Sequence, residues 1–204
     1  MTSLREPRLL TVKIADLRPT QMTVGLHEVE IKKKAWLKER AGKQADFLGD
    51  HLVPAVRGPK YLYVIDHHHL CRALLEAGQT EVAVSIVADL SALEKDAFWV
   101  FMDNRNWLHA YDARGKRCGW SDLPKSIAAL ADDPYRSLAG GLRRMGGYAK
   151  DATPFSEFLW ADFLRRRIDA ELVKDDYASA ARKAMKLAKD KAAAFLPGWC
   201  GPDT

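Results

Sequence analysis

The first half of the chain alternates between two hydrophobic periods, one typical of strands and one typical of helices. Short apolar or alternating runs predict four strands, namely Leu9–Ile14, Leu52–Val56, Tyr61–Ile65 and Glu81–Ala88. The third run is apolar on both faces, which indicates a strand inside a sheet rather than at its edge. We therefore expect a small mixed sheet with helices packed on it, an α/β or α+β fold.

Helical spacing separates these strands. It predicts helices over residues 25–41 and 70–77, the second ending at Gly78, where a left-handed backbone favours glycine. Ser91 and Glu94 have the spacing of a capping box, so a third helix is expected to begin at Ser91. Its buried side chains are predicted to be Leu93, Phe98, Val100 and Phe101.

Strand signals are absent beyond residue 111, and helical spacing continues to the end of the chain. The pattern predicts helices over residues 123–130, 134–138 and 177–195. We therefore expect two domains, an α/β domain over residues 9–111 and a helical domain over residues 112–204 that packs across the cleft of the first.

Two segments of the second half carry more specific signals. Thr153 and Pro154 are typical of an N-cap and of the first position of a helix. Glycine pairs at 140–141 and 146–147 flank two arginines, which is compatible with a flexible connection or with a phosphate-contacting loop.

Composition places the chain among ordinary globular proteins. Its 204 residues, 48% of them hydrophobic and 29% charged, suffice for one large domain or two small ones. Three widely separated cysteines, Cys71, Cys118 and Cys200, favour a reducing cytoplasm over a disulfide framework. No apolar run has the length of a bilayer span and no signal-peptide core is present, so we expect a cytoplasmic protein without a membrane partner. The net charge of +5 permits nucleic-acid or phosphate ligands without requiring them.

Candidate chemistry is concentrated in the turn between the third strand and its helix, Asp66–His69, hereafter the DHHH turn. The N-terminus of a helix presents backbone N–H groups and the positive end of the helix dipole, which favour an anion such as phosphate. Two other interpretations stay open. In one, Asp66 caps the helix while the histidines are solvated or bonded to the backbone. In the other, the imidazoles bind a structural metal, although no HExxH or CxxC pattern accompanies them.

The strand, turn and helix together resemble the signature of the ParB/sulfiredoxin superfamily, and specifically its ParB-like nuclease branch. That signature has a D-G-x-H-R or G-E-R-R type turn followed by a helix with R-x-x-A. Asp66 matches the acidic position, His67 takes the place of the glycine and His69 matches the histidine. Leu70 stands where most members have arginine. His68 stands where sulfiredoxin has its nucleophilic cysteine, so sulfiredoxin chemistry is not expected.

The resemblance extends to two further segments. Pro19-Thr20-Gln21 matches the triplet in the loop beside the cleft, and Gln21 is the nearest equivalent of the acidic general base of serine-kinase-like relatives. Gln21 is interpreted either as a loop-fixing residue or as a ligand contact. The F-x-E-F-x-W-A stretch, which this branch shares, makes Glu157 and Trp160 secondary ligand candidates.

Two basic runs each allow two interpretations. Lys32–Lys34 is most simply a solvated helix face, and the alternative is that one lysine, such as Lys33, reaches a bound phosphate. Arg165–Arg167 has Asp162 and Asp169 close by, so local ion pairing is favoured over contact with nucleic acid.

The resemblance implies a phosphate-handling enzyme that performs either nucleotide-dependent phosphoryl transfer or nuclease chemistry at the DHHH turn. In this hypothesis Asp66, His68 and His69 are catalytic, and Asp66 also orients a histidine or holds Mg²⁺. Phosphate or ligand contacts are assigned to Thr20, Gln21, Lys33, His67, Arg72, Glu157 and Trp160.

The expected ligands are ATP, ADP or CTP, another phosphate compound, or DNA. The alternatives are a non-catalytic nucleotide- or DNA-binding module of the ParB type, and a protein that has kept the fold and lost catalysis. The second alternative is suggested by Leu70 and Gln21, which depart from the pattern of the superfamily.

Overall fold

The computed structural model of the protein describes residues 8–39, 49 and 51–202. Contacts among these residues divide them into two compact units. The first, called the sheet unit, takes its residues from 1–22, 29–110 and 118–130, and the second, called the helical unit, takes its residues from 23–28, 111–117 and 131–204. The chain therefore enters each unit more than once, whereas the sequence predicts a single boundary at residue 111.

Seven strands and seven helices have described bounds. The strands are β1 (Arg8–Lys13), β2 (Leu17–Pro19), β3 (Thr23–Val24), β4 (Val53–Arg57), β5 (Leu62–Val64), β6 (Glu81–Asp89) and β7 (Ala131–Asp132). The helices are α1 (Leu26–Lys38), α2 (His68–Glu76), α3 (Lys95–Asn104), α4 (Pro134–Arg144), α5 (Ser156–Arg165), α6 (Ala170–Asp175) and α7 (Tyr177–Lys189). The predicted end of the first helix, at residue 41, lies outside the described residues. Among the helices that the structure describes, none has the length and apolar character needed to cross a membrane.

Five strands of the sheet unit form one mixed sheet in the order β1-β6-β4-β5-β2. The pairs β1–β6 and β4–β5 are antiparallel, and the pairs β6–β4 and β5–β2 are parallel. β5 therefore lies between two partners, as its apolar run predicts, and it is followed directly by the DHHH turn and α2. This mixed sheet with helices confirms the predicted α/β fold class. β3 and β7 form a separate parallel pair in the helical unit.

The α3 helix packs on the sheet through aromatic side chains. The rings of Phe98 and Trp99 are buried and their centroids lie 4.9 Å and 5.2 Å from the ring of Tyr63 in β5. The prediction that Val100 and Phe101 are also buried is wrong, because their side chains are 51% and 38% exposed. Residues 98 and 99 direct one face of the helix inward, and the helical rotation then turns the next two side chains outward.

The start of α3 shows a competition between two local patterns. The helix begins at Lys95, so the predicted start at Ser91 is wrong. The backbone N–H and the hydroxyl of Ser91 both donate to Oδ1 of Asp89, at 3.1 Å and 2.6 Å. This short-range turn uses the groups that a capping box would need.

The predicted helix over residues 123–130 is also wrong. The segment contains two short 3-10 turns, Trp120–Asp122 and Ile127–Ala129, instead of a regular helix. Pro124 lies between them. Proline has no backbone N–H and disfavours a helical conformation in the residue before it, which accounts for the interruption.

The helical unit packs its helices through small side chains. Ala180, Ala184 and Ala188 of α7 are completely buried, as the alanine-rich sequence predicts. The helix ends at Lys189 and a 3-10 turn follows, so it is shorter than the predicted 177–195. Trp199 packs against the same core and joins the C-terminal segment to it.

The α4 helix contains the glycine pair that was a candidate phosphate-contacting loop. Asp133 caps the helix by accepting a hydrogen bond from the backbone N–H of Tyr135 at 3.0 Å. The helix continues to Arg144, so Gly140 and its neighbour lie inside it and the loop interpretation is wrong. A Cβ atom on Gly140 would lie 2.9 Å from the carboxyl carbon of Glu28. The glycine therefore provides the space that this carboxylate occupies.

The start of α5 also differs from the prediction. Phe155, with a φ of 60°, precedes the first helical residue, Ser156. Thr153 is therefore not the N-cap of this helix. Its backbone N–H donates to Oδ1 of Asp151 at 2.7 Å, which places it in a turn before the helix.

Candidate functional site

The DHHH turn changes the direction of the chain between β5 and α2 through one unusual residue. His67 has φ 65° and ψ 23°, a left-handed conformation that costs about 1–2 kcal/mol for residues other than glycine. This is the position that the superfamily pattern gives to glycine. The carboxylate of Asp66 accepts a hydrogen bond from the N–H of His67 at 2.6 Å, which stabilises the turn.

The first turn of α2 begins without a capping hydrogen bond from the side chain of its N-cap residue. His67 is the N-cap residue, and its side chain makes no capping hydrogen bond to the helix. The Asp66 carboxylate bonds the N–H of His67, which precedes the helix. The His67 side chain therefore does not cap the positive end of the helix dipole. Helix N-termini with free backbone N–H groups are common phosphate-binding sites in proteins.

His68 fixes the loop beside the turn. Its side chain is only 3% exposed, and its Nε2 accepts the backbone N–H of Thr20 at 3.1 Å. Nε2 therefore carries no proton, and a neutral ring has its proton on Nδ1. The hydroxyl of Thr20 donates to the carbonyl of Val64 at 2.8 Å, and the carbonyl of Thr20 accepts the N–H of His109 at 2.8 Å. His68 and Thr20 together hold the end of β2 against the end of β5.

The ring of His67 lies among other titratable groups. It is half-buried, and its Nδ1 atom is buried without a hydrogen-bond partner among the described residues. Burial lowers the pKa of His67, the nearby carboxylate of Asp66 opposes this effect, and the charges of Lys32 and His51 lower the pKa further. The ring is therefore neutral at pH 7, and the charged groups around it are the carboxylate of Asp66 and the two basic side chains of Lys32 and His51. Sequence reasoning placed Lys32 only in the run of three lysines, and it did not name His51.

Lys33 and Arg72, two predicted ligand contacts, form ion pairs within the sheet unit. Nζ of Lys33 lies 3.5 Å from the carboxylate of Glu30 and 3.9 Å from that of Glu76. Nε of Arg72 donates to Glu76 at 2.7 Å, and its Nη1 donates to the carbonyls of Ala128 and Leu130, each at 3.0 Å. These contacts attach α2 to the 3-10 segment that follows residue 126, and the roles of both cations as ligand contacts stay predictions.

The remaining predicted groups of the sheet unit lie close to the turn in the chain or in the sheet. Gln21 is buried, and its backbone forms a parallel bridge with His109, next to the Thr20 contact. His69 occupies the first turn of α2 and is half-buried. The structure thus brings Thr20 and His68 into direct contact, and it places Gln21 beside Thr20.

Leu70, where the chain departs from the superfamily pattern, and its neighbour Cys71 both belong to the core. Leu70, which replaces the usual arginine, is buried on the inner face of α2. Cys71 is completely buried, and burial raises the pKa of its thiol to about 12. A thiol with such a pKa is not a nucleophile at neutral pH. Cys71 is therefore a small packing side chain of the core.

Glu157 and Trp160, the secondary candidates, belong to the helical unit. The carboxylate of Glu157 lies 3.0 Å from Nη1 of Arg143 and 3.8 Å from Nη2 of Arg136. Trp160 is completely buried, and its indole stacks on Tyr148 with ring centroids 4.4 Å apart. These contacts give both residues a part in packing α4 and α5, and their ligand roles stay predictions.

The basic run at 165–167 makes the local ion pairs that its acidic neighbours predict. Arg165 pairs with Asp133 at 2.6 Å and with Asp162 at 3.0 Å, and Arg166 pairs with Asp162 at 2.8 Å.

Among residues 8–39, 49 and 51–202, no three His, Cys, Asp or Glu side chains are grouped as a metal-binding set.

Comparison with known families identifies the class of protein. The family model described as "Putative ParB-like nuclease" matches residues 10–166, a range that contains the DHHH turn and α5. The chain therefore belongs to the ParB-like nuclease family that this model describes.

A solved structure and the curated proteins complete the comparison. The chain is similar to protein Atu1540 from Agrobacterium tumefaciens, whose crystal structure superimposes with a TM-score of 0.92 at 54% sequence identity. The alignment covers 98% of this chain and 100% of that chain. A search of the curated proteins finds no match to the chain.

Proposed function

We propose that the chain is a phosphate-handling enzyme of this family and that the DHHH turn is its anion-binding and catalytic site. One observation carries the proposal. The left-handed His67 sets the start of α2, and the His67 side chain makes no capping hydrogen bond to the positive end of that helix. Positive electrostatics and backbone donors at a helix N-terminus favour phosphate oxygens.

The three histidines have different roles in this proposal. His69, in the first helical turn, acts as general acid or as phosphate ligand. His67, which is neutral at pH 7, either donates to the ligand or accepts a proton from it. His68 is a positioning residue, because its Nε2 already accepts the N–H of Thr20.

The reaction class is phosphoryl chemistry, either nuclease cleavage or nucleotide-dependent transfer, with ATP, ADP or CTP as candidate ligands. Such reactions develop negative charge that Mg²⁺ commonly neutralises. Asp66 is the residue that would hold this ion, since its exposed carboxylate lies at the turn and Mg²⁺ is typically bound by one or two carboxylates together with substrate phosphates.

The test is titration calorimetry of ATP, ADP and CTP with and without Mg²⁺, together with product analysis on DNA and on each nucleotide. His69→Ala is expected to weaken ligand binding at least tenfold and to abolish turnover, while its urea midpoint equals that of the wild type. His27→Ala is the matched control, because His27 contacts Tyr177 in the helical unit, with ring centroids 4.6 Å apart. Unchanged binding and turnover in His69→Ala would remove the site assignment.

A second candidate is a non-catalytic nucleotide- or DNA-binding module. It is favoured by the structural use of His68 and by the burial of Leu70 where most members have arginine. Binding that His69→Ala weakens, without product under any condition, would support this candidate over the enzyme.

A further inference from the structure

A cluster of two cations and a tyrosine lies on the surface of the sheet unit, and we call it the cation–tyrosine patch: Arg18, Lys60 and Tyr61. Cζ of Arg18 lies 4.2 Å from the centroid of the Tyr61 ring, and Nζ of Lys60 lies 5.5 Å from it. The side chain of Tyr61 is exposed, with a relative accessibility of 36%. The patch therefore combines an exposed aromatic ring with two cations, the half-buried Arg18 and the exposed Lys60, that lie beside it.

The geometry of the patch is fixed by backbone contacts. Arg18 is in β2, and its Nη1 donates to the carbonyls of Ala15 and Leu17 at 3.4 Å and 3.3 Å. The carbonyl of Tyr61 accepts the N–H of Gly58 at 2.9 Å, which closes the turn that carries Lys60. Both cations are thus attached to short segments at the ends of strands, where the backbone is held.

The charge of the patch is not compensated locally. Within the described ranges, neither Arg18 nor Lys60 pairs with a carboxylate, whereas Arg57, in the preceding strand, lies 3.6 Å from Asp89. Arg18 and then Lys60 lower the pKa of the Tyr61 phenol, in keeping with the positions of both cations beside its ring. An exposed ring flanked by two cations without carboxylate partners is suited to a ligand that combines phosphates with flat groups.

The sheet relates the patch to the DHHH turn. β2 and β5 are parallel neighbours, with Arg18 opposite Tyr63. Both strands run toward the turn, because Thr20 follows β2 and Asp66 follows β5. From Tyr61 to Asp66 the extended chain covers roughly 16 Å at about 3.3 Å per residue. A nucleic-acid strand that rises about 3.4 Å per nucleotide spans this distance with roughly five nucleotides.

We infer that the cation–tyrosine patch is a second contact site for a nucleic-acid strand whose phosphate is bound at the DHHH turn. The inference rests on the proposed function and narrows it, because it makes the substrate a polynucleotide rather than a mononucleotide. Arg18 and Lys60 bind phosphates of the strand, and the ring of Tyr61 stacks on a base or sugar.

The experiment compares ligands of two lengths on the full chain. Fluorescence anisotropy measures binding of a single-stranded oligonucleotide of about 20 nucleotides, well beyond the roughly five that join the two sites. Calorimetry measures ATP. The variants are Arg18→Gln/Lys60→Gln, Tyr61→Leu and His69→Ala. The control of equal charge change is Arg182→Gln/Lys183→Gln, two exposed positions of α7.

We expect Arg18→Gln/Lys60→Gln to weaken oligonucleotide binding about tenfold and to lower the salt slope of log K by about 1.4, which is two phosphates at about 0.7 each. Tyr61→Leu is expected to weaken it at least fivefold, because stacking on an aromatic side chain contributes to the affinity for each base. ATP affinity stays unchanged in both, and the control changes oligonucleotide affinity less than twofold.

Four results would overturn the inference. In the first, the patch variants bind the oligonucleotide as tightly as the wild type does, whereas His69→Ala no longer binds it. The patch is then excluded as a contact site, and the proposed function stands. In the second, the patch variants lose ATP as much as oligonucleotide, so there is no second site. In the third, polyglutamate competes with the oligonucleotide through the same two cations, so the patch binds any polyanion. In the fourth, the wild type binds neither ligand, and the proposed function falls together with the inference.

Discussion

At the scale of single residues, the left-handed backbone at His67 is the feature on which the DHHH turn depends. A histidine with φ 65° accepts a conformational cost that glycine would avoid. The resemblance to the superfamily pattern identifies this position from sequence, since it aligns His67 with a glycine. The structure gives the physical reason for the alignment, because the chain must reverse here before α2 can begin.

His67→Gly is therefore expected to preserve or increase stability, by up to about 1 kcal/mol, since relief of about 1–2 kcal/mol of backbone strain exceeds the extra entropy cost of glycine. Urea unfolding measures the change. The control is Ala77→Gly, at a residue with φ −82°, which is expected to lose about 0.5–1 kcal/mol.

His67→Gly also tests how the ionisation of the His67 ring contributes to the pH dependence of stability. The folded protein holds the pKa of His67 below its ordinary value, so the unfolded chain binds the proton more tightly. Stability is therefore full above about pH 6.5 and falls as the pH drops below this value toward the lower folded pKa. His67→Gly is expected to lose this part of the pH dependence. A glycine variant that is less stable than wild type at pH 8 would contradict the strain argument.

Three features of the site could not be predicted from the sequence, each for a different physical reason. Lys33 was the candidate of its basic run, but Lys32 is the lysine that acts on His67, and a shift of one residue along a helix rotates the side chain by about 100°. His51 comes from a distant part of the chain, and no local pattern marks it. His68 and His69 are adjacent in sequence, yet only the packing of the Thr20 loop shows that His68 is the buried one.

At the scale of elements, β1, β4, β5 and β6 were predictable because each lies in an uninterrupted apolar or alternating run. β2, β3 and β7 were missed because each is only two or three residues long, and β7 lies beyond residue 111, where no strand was expected. The ends of the helices were harder to predict, because a short-range hydrogen bond or a single proline overrides the helical preference averaged over the neighbouring residues. Ser91 bonds Asp89 instead of starting a helix, and Pro124 divides a segment of otherwise helical composition. The outcome of such local competition depends on hydrogen-bond and steric energies of about a few kcal/mol, and hydrophobic periodicity does not report these energies.

The glycine inside α4 gives a prediction at this scale. Replacing glycine by alanine within a helix normally stabilises it by about 1 kcal/mol. Gly140→Ala is expected instead to destabilise the protein by about 1–3 kcal/mol, because the new Cβ would lie 2.9 Å from the carboxyl carbon of Glu28. Thermal and urea unfolding measure this loss.

The control uses a double-mutant cycle with Glu28→Ala. If the contact with the Glu28 carboxylate causes the loss, Gly140→Ala becomes neutral or stabilising in the Glu28→Ala background. An equal loss in both backgrounds would show that the glycine has another function in α4.

At the scale of the whole molecule, the chain contributes to each unit in several pieces. The sheet unit needs residues 118–130, which follow the segment 111–117 of the helical unit. A single boundary at residue 111 follows from the loss of strand signals, and sequence patterning has no means of showing that a later segment returns. The returning segment is recognised by its contacts, in which Arg72 donates to the carbonyls of Ala128 and Leu130.

A fragment of residues 1–111 is therefore expected to be much less stable than one of residues 1–130. It loses two hydrogen bonds of Arg72, each contributing about 1 kcal/mol, and the burial of Leu123 and Ile127, each contributing about 1.5–3 kcal/mol. The sum approaches the total stability of a typical domain, about 5–15 kcal/mol.

Circular dichroism with urea titration measures both fragments, and the wild-type chain provides the reference. Equal urea midpoints for the two fragments would show that residues 1–111 fold without residues 112–130 and would support residue 111 as the domain boundary.

The pairing of β1 with β6 means that the sheet cannot be completed until long after its first strand has been synthesised. Residue 8 faces Ile86 in this pair, so the first strand of the sheet waits for a partner that is synthesised much later. At about 5–20 residues per second, the ribosome needs roughly 4–16 seconds to make the intervening chain. During those seconds Leu9, Leu10 and Val12 form an apolar strand-forming segment without its native neighbour. The growing chain is thus most exposed to aggregation before the finished fold exists, and its yield in cells depends on the rate of synthesis as well as on final stability.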